Sequence, residues 1–514
     1  VRCGGEMPAL TVFTMTDNVN NALIDSIRRL VRWVDAGYIA VVIVFTVYWV
    51  KSWRKMRGCK QWLSKPVKRK TTLLILVVLV VWQTAAGVWA WYRYHSFDYA
   101  PRSASGWLTF KFRRVGVPMD VERPHYYLDF GLTAYTAASV VELLDYLTVS
   151  HQLTDDQLAL VESHIARYAD SDFTQLFADN RGKNLILIIV ESLNSEFINS
   201  EIGGVEVTPT LNRLIREPGT VSALNVVTQV RDGISSDGQM LLNTGLLPLT
   251  KGSTMMRYGA ENSYESLATK LSGHYPAVYF ANEPNFWNKG VSFANLGFGT
   301  IKSAEDFVVD PVEVGADRAM FDLIVRDLPK MKQPFFIEAV TMSMHYGLWP
   351  EDDVMSGDFA HEGYQPEHLK FVRSTQYFDS QLAWFLVQLK QMGLYDNTVV
   401  ILASDHSLAA TRPGTRMTDY PIAFIALNTG ASAQIDRTAG QVNLFPAMLD
   451  IMGIKADGSY RGLGASLFDP RLNGAIDAND NATGEVDEAM KQALEVAQLI
   501  INTNYFKHYG RDRQ

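Results

Sequence analysis

Hydrophobic residues are distributed along this chain in three ways. Near its start lie two long apolar runs, Val31 to Val50 and Leu73 to Trp91. A membrane-spanning helix needs about 20 mostly apolar residues. The second run meets this without interruption, and the first carries Arg32 and Asp35 only in its opening turn. Aromatic residues stand at the ends of both runs (Trp33, Tyr48, Trp49, Trp89, Trp91, Tyr92), as expected of interfacial belts. Two membrane spans are therefore expected, at about 31–50 and 73–91.

From 95 to 182 the texture changes. Ala134 to Leu147 and Thr154 to Tyr168 show helical spacing, and Thr154-Asp155-Asp156 reads as an N-cap region. This segment is expected to be a helical linker with no chemistry of its own. From Lys183 onward, short apolar runs alternate with helical stretches, the signature of a mainly parallel sheet flanked by helices. The runs are Asn184 to Val190, Ala277 to Phe280, Phe335 to Val340, Thr398 to Ala403 and Pro421 to Leu427. Glu485 to Ile501 is expected to form a C-terminal helix packed on the domain by Met490, Ala493, Val496, Leu499 and Ile500. The organisation read from the pattern is a membrane part at 1–94, a linker at 95–182, an α/β catalytic domain at 183–475, and a helix and tail at 476–514.

Charge orients the membrane part. The loop from Lys51 to Lys70 carries nine basic residues and no acid. The positive-inside rule makes it cytoplasmic, so everything after Trp91 is expected outside the cytoplasmic membrane. Because the chain begins with Val1, the membrane part is read as truncated, with an odd number of upstream spans lost if the full protein starts inside. The overall charge of −8 argues against a nucleic-acid partner. Two cysteines, Cys3 and Cys59, provide neither a disulfide framework nor a cysteine-rich zinc site.

Candidate chemistry gathers where the strands end. Glu191 follows the first strand, Asp405-His406 the fourth, and His345 comes soon after the third. In open α/β sheets, ligands bind beyond the carboxyl ends of the strands. A carboxylate directly behind a buried apolar strand is costly unless paired or metal-bound. Two carboxylates and an imidazole suit a divalent ion such as Mn²⁺ or Zn²⁺. Between them in sequence, Gly233-Ile234-Ser235-Ser236-Asp237 leads into an apolar helix. A hydroxyl at a helix N-terminus, activated by a metal, could attack a phosphoryl-type group. Residue order alone leaves both hydroxyls open as nucleophile; the other would be a helix cap. His274, His361 and His368 lack any such context and are expected at the surface.

Taken in order, these residues resemble the lipoteichoic acid synthase family, within the alkaline phosphatase and sulfatase superfamily. The resemblance rests on Glu191-Ser192, Gly233 to Asp237, Asn243 to Leu249, Phe286 to Lys289, His345 and Ser404-Asp405-His406. It implies a polytopic membrane anchor, commonly of five spans, and a sulfatase-like domain outside the cytoplasm. It also implies that Glu191, Asp405 and His406 hold a metal, with Ser235 as nucleophile and further ligand. Trp287, Asn288, Lys289 and His345 then match the residues that bind the transferred group, with His345 also catalytic. Lys289 stands where the family has arginine, so a point charge replaces a bidentate fork. Phe280 stands where histidine is usual, and Ser407 where glycine is usual.

The function so implied is a metal-dependent phosphoglycerol-type transferase acting through a covalent serine intermediate. Its cofactor would be one divalent ion, Mn²⁺ first, with Zn²⁺ or Mg²⁺ as alternatives. Its donor would be a membrane phospholipid, phosphatidylglycerol, and its acceptor an envelope glycan or lipid. The alternatives are a phosphoethanolamine transferase, a sulfatase or other phosphodiester hydrolase, and a membrane scaffold or sensor with a decayed site. A sulfatase needs Cys or Ser in a Cys/Ser-x-Pro-x-Arg context, which neither cysteine nor Ser235 has.

Overall fold

The computed structural model describes residues 151–345, 366–408 and 420–510, together with 350, 355 and 359. The expected spans at 31–50 and 73–91, the basic loop, the helix at Ala134 to Leu147 and His361 lie outside the described residues. Among the described residues, no helix is long and apolar enough to cross a membrane. The chain divides into two compact units, Val1–Val149 and Ser150–Gln514, and only the second is described here.

A nine-stranded sheet organises this unit. Its strands are β1 (Asn184–Val190), β2 (Val221–Val227), β3 (Tyr275–Phe280), β4 (Thr300–Lys302), β5 (Phe335–Val340), β6 (Thr398–Ser404), β7 (Ile422–Leu427), β8 (Ala433–Ile435) and β9 (Ala439–Gly440). They lie in the order β8-β2-β7-β6-β1-β5-β3-β4, with β9 also paired to β2. β1, β5 and β6 are buried at every residue, as apolar runs without alternation require of strands covered on both faces. Ile186, Ile188 and Val190 of β1 face a core shared with α4 (Ala316–Asp327) and α5 (Pro366–Gln391), where Phe321 and Phe385 stack at 4.6 Å. Leu185, Leu187 and Ile189 are equally buried on the other face. Each such aliphatic side chain contributes about 1.5–3 kcal/mol of burial.

The mainly parallel sheet is as expected, with one difference. β7 runs antiparallel to both β6 and β2. Its carboxyl end therefore lies at the opposite edge from those of β1, β5 and β6, and no candidate residue follows it. β2 was not anticipated, because Ser222 and Asn225 interrupt its apolar run. β4, β8 and β9 are only two or three residues long and leave no pattern to read.

Helix α1 (Asp155–Ala169) begins where its sequence signal falls, with Thr154 and Gln157 closing a capping box. It packs within the same compact unit, against α6 (Glu488–Thr503). His164 Nε2 of α1 lies 3.1 Å from the Leu463 carbonyl. The α6 face that faces inward is Ala489, Ala493, Val496, Ala497, Ile500 and Ile501. Two histidines expected at the surface need correction. His368, on α5, is buried beside Phe197 at 6.0 Å between rings, and His274 is half-buried with Nε2 2.9 Å from the Lys183 carbonyl. Tertiary packing, invisible to a local motif, covers both.

Candidate active site and metal centre

Strand register brings the two carboxylates together. Val190 pairs with Ser404 across β1 and β6, and Ile189 pairs with Val340 across β1 and β5. The residues that follow, Glu191, Asp405 and Thr341, therefore emerge level at one edge of the sheet. Asp405 N–H still donates to the Val190 carbonyl at 3.2 Å, and Thr341 N–H to the Ile189 carbonyl at 3.0 Å. Thr341 Oγ1 in turn accepts from Glu191 N–H at 3.0 Å.

Glu191, Asp405 and His406 are all buried, and each offers a ligand atom within 4.8 Å of the others. His406 Nε2 lies 3.3 Å from Glu191 Oε1 and 3.7 Å from Asp405 Oδ2. Its other nitrogen, Nδ1, lies 3.0 Å from the Ser407 carbonyl, the outer hydrogen bond that fixes a ligating imidazole. Asp405 Oδ1 accepts from Ser192 N–H and His406 N–H, while Oδ2 has no hydrogen-bond partner among the described residues. A buried, unpartnered carboxylate oxygen aimed at a second carboxylate and an imidazole fits a divalent cation.

The electrostatics agree. Burial opposes every charge in the cluster, yet the His406 charge and hydrogen bond hold Glu191 down to about 2. Burial and the neighbouring Glu191 charge push Asp405 up to about 7. The two carboxylates hold His406 up at about 10 against its desolvation. A site that so favours positive charge is suited to a cation, which would displace the imidazole proton on binding.

Ser235 opens helix α2 (Ser235–Thr244) at the edge of this cluster. Its hydroxyl donates to Glu191 Oε2 at 3.2 Å and lies 3.0 Å from His406 Nε2. The preceding residue, Ile234, has φ 44° and ψ −114°. Positive φ in a β-branched residue is a genuine outlier and marks stored strain. Asp237 holds this turn: its buried carboxylate accepts from the N–H groups of Arg231 (3.1 Å), Gly233 (2.9 Å) and Thr254 (3.4 Å). Burial pushes the Asp237 carboxyl up to about 7 in spite of these bonds. Ser236 is not the helix cap expected from sequence. It is fully buried, donates to the Gly233 carbonyl at 2.7 Å and meets Ser253 Oγ at 2.7 Å. Residue 234 is the N-cap, and no side chain caps it.

The segment Phe286 to Lys289 flanks the same cluster. Trp287 and Asn288 are consecutive left-handed residues, φ 55° and 59°. That turn aims Lys289, the first residue of α3 (Lys289–Asn295), inward: it is buried, and its Nζ donates to Asn282 Oδ1 at 3.2 Å. Burial lowers the Lys289 ammonium to about 8, while Glu191, Asp405 and Glu338 pull it back up. Its Nζ lies 5.4 Å from the Phe280 ring and 5.9 Å from the Phe286 ring. Trp287 and Asn288 themselves are half-buried. His345 is also half-buried, and its charge helps to hold Glu191 down.

Sequence reasoning missed several contributors. Ser192, at φ 57°, donates its hydroxyl to Glu191 Oε1 at 2.8 Å. Gln441 donates to the Asp405 carbonyl at 2.6 Å, and Asn282 meets Lys289. Only Ser192, directly after Glu191 at the end of an apolar strand, carried any signal in the sequence; Gln441 lies far off in sequence.

Comparison with known proteins is consistent with this geometry. The sulfatase family model matches residues 183–454. Lipoteichoic acid synthase 1 of Bacillus subtilis (strain 168) is 27% identical over 66% of this chain and 56% of its own length. Lipoteichoic acid synthase of Staphylococcus saprophyticus is 27% identical over 68% of this chain and 56% of its own length. The chain thus spans little more than half the length of these relatives. Among solved structures, the lipoteichoic acid synthase LtaP from Listeria monocytogenes superposes with a TM-score of 0.54 at 18% identity, over 65% of this chain and 94% of that one. The Streptococcus pyogenes phosphoglycerol transferase GacH, solved with sn-glycerol-1-phosphate, gives 0.50 at 13% identity, over 70% of this chain and 93% of that one. These two likenesses establish the fold.

Proposed function

The chain belongs to the sulfatase family, in the alkaline phosphatase superfamily, and from that premise we propose that it is a metal-dependent phosphoglycerol-type transferase. The observation that carries this reading is the convergence of the Ser235 hydroxyl with Glu191, Asp405 and His406, beside a buried lysine. The name of one structural neighbour, a phosphoglycerol transferase solved with sn-glycerol-1-phosphate, supports the phosphoglycerol group.

Glu191, Asp405 and His406 would hold one divalent ion, with Ser235 as a further ligand; Mn²⁺ is our first choice. When bound, the ion would lower the Ser235 hydroxyl pKa and neutralise charge on the phosphoryl oxygens. Ser235 attacks phosphorus, the Oγ–P bond forms, and the bond from phosphorus to the diacylglycerol oxygen breaks. The Ser235 proton is released to solvent, since Glu191, held at about 2, is too weak a base to keep it, and His345 supplies a proton to the departing oxygen. Lys289, with Trp287 and Asn288 at its shoulder, binds the transferred group by charge and shape. An acceptor alcohol then attacks phosphorus and gives its proton to His345, the Oγ–P bond breaks, and Ser235 regains a proton.

Phosphatidylglycerol is the proposed donor, and an envelope glycan or lipid the acceptor. Ile234 and Phe286, 37% and 44% exposed, are apolar side chains beside the site, which suits a lipid substrate. Anchoring by the runs at 31–50 and 73–91, with this unit outside the cytoplasmic membrane, completes the proposal. The division at residues 94, 182 and 475 belongs to it as well.

The test is intact-mass analysis of the full chain incubated with Mn²⁺ and either phosphatidylglycerol or phosphatidylethanolamine. A glycerophosphate adduct on Ser235 is expected with the first lipid. A phosphoethanolamine adduct would move the assignment to that transferase class, and no adduct with either would remove the transferase reading. A reporter fused after residue 182 should behave as exported; cytoplasmic reporter activity would reverse the topology.

A further inference from the structure

Asp317 lies in the first turn of α4, on the side of the sheet away from the nucleophile helix, and no motif singles it out. It is fully buried. Its Oδ1 accepts from two consecutive backbone amides of another segment, Met342 N–H at 2.7 Å and Ser343 N–H at 3.0 Å. Ser343 Oγ returns the bond by accepting from Asp317 N–H at 3.1 Å. The arrangement has the reciprocity of a capping box, but it joins a helix start to a distant loop.

That loop leads from β5 to His345. Its first residue, Thr341, is bonded to the backbone of Ile189 and Glu191, as described above. Its far end is a turn in which His345 N–H donates to the Met342 carbonyl at 2.9 Å. Met342 is therefore shared: its N–H is held by Asp317, and its carbonyl holds His345. A carboxylate accepting two adjacent amides sets the direction of the peptide plane between them, and so the direction in which the turn presents His345. Burial makes the exchange of this anchor for water expensive.

We propose that Asp317 is a positioning residue that sets His345 against the metal cluster. This rests on the reading of His345 as a group that meets the transferred phosphoryl group. A displacement of about 1 Å at such a position costs about 100-fold in rate. Asp317→Asn keeps a carbonyl oxygen for the two amides, whereas Asp317→Ala leaves both without an acceptor.

The experiment uses the full chain in two arms. Hydrogen exchange followed by mass spectrometry reads the amides of Met342 and Ser343 directly, and does not depend on activity. They should exchange at least tenfold faster in Asp317→Ala and return toward the wild-type rate in Asp317→Asn. Glycerol phosphate binding is then measured in Asp317→Ala, His345→Ala and the double variant. Each single variant should weaken binding by a similar factor, and the double variant by no more than either. If Asp317→Ala does not fold, Ser343→Gly and Asp317→Asn carry the same comparison. Unchanged exchange at Met342 and Ser343, or fully additive losses in the double variant, would overturn the proposal. Absence of glycerol phosphate binding by the wild-type chain would instead count against the functional reading, and the exchange arm would still decide whether Asp317 holds the loop.

Discussion

Gly233→Ala tests whether the strained turn before Ser235 is held by Asp237. A Cβ at residue 233 would stand 2.2 Å from Asp237 Oδ1, 2.5 Å from Cγ and 2.9 Å from Oδ2. At the two nearer atoms that falls short of ordinary contact by about 1 Å or more. Two relaxations are open. If the carboxylate withdraws, it gives up the bonds from Arg231 N–H and Gly233 N–H, each worth about 1.5–3 kcal/mol to a charged acceptor. A loss of about 3 kcal/mol or more follows, a large share of the 5–15 kcal/mol typical of a domain. If instead the turn moves by about 1 Å, the bonds survive, and Ser235 leaves its position beside Glu191 and His406. The stability loss is then that of overpacking, about 1–3 kcal/mol, but adduct formation falls about 100-fold. Urea midpoints and the rate of adduct formation on the purified full chain separate the two routes. Gly299→Ala is the control, because its Cβ meets nothing within 4 Å; its effect should stay within about 1 kcal/mol. A Gly233→Ala variant with the wild-type midpoint and the wild-type adduct rate would refute the role given to Asp237.

Three further outcomes are expected. Glu338, on β5, is fully buried; burial pushes its carboxyl up to about 8, against the Asn243 hydrogen bond and the Lys289 charge. The native state therefore keeps a proton that the unfolded chain loses above its ordinary value near 4.5, so this group's contribution is full below that pH and falls as pH rises toward 8. Glu338→Gln cannot ionise, so its urea midpoint should gain on the wild type across pH 4.5–8; parallel curves would show that Glu338 is ionised when folded. Ser236→Ala should still form the adduct while losing about 1–3 kcal/mol, because it strips a buried partner from Gly233 and Ser253, whereas Ser235→Ala should fold normally and form none. Peptide mapping of the adduct to residue 236 would contradict this. Asp405→Ala should weaken Mn²⁺ binding by more than about 100-fold in a metal titration, since loss of even an outer-shell partner costs 10–100-fold; wild-type affinity would sink the ligand assignment.

Much of this protein was legible in its residues taken singly. β1, β5 and β6 were readable because strands buried on both faces are almost wholly apolar in their interiors, Glu338 in β5 being the exception, and a sudden Glu191 or Asp405 at such an end is conspicuous. The start of α1 was readable because Thr154 and Gln157 form a local capping signal. What could not be read was whatever depends on two distant segments meeting. β7 runs antiparallel because of how it pairs, and its run of apolar residues is the same in either direction. Ser236 resembles a cap in sequence, yet the turn of Ile234 into positive φ buries its hydroxyl against Gly233 and Ser253. Ser192, Asp237, Gln441 and Asp317 are ordinary polar residues by composition. Each becomes a support of the site only because the fold buries it against a particular partner: the Glu191 carboxylate for Ser192, backbone amides for Asp237 and Asp317, and the Asp405 carbonyl for Gln441. Local patterning decided which strands and candidate ligands exist; register and burial decided which of them meet.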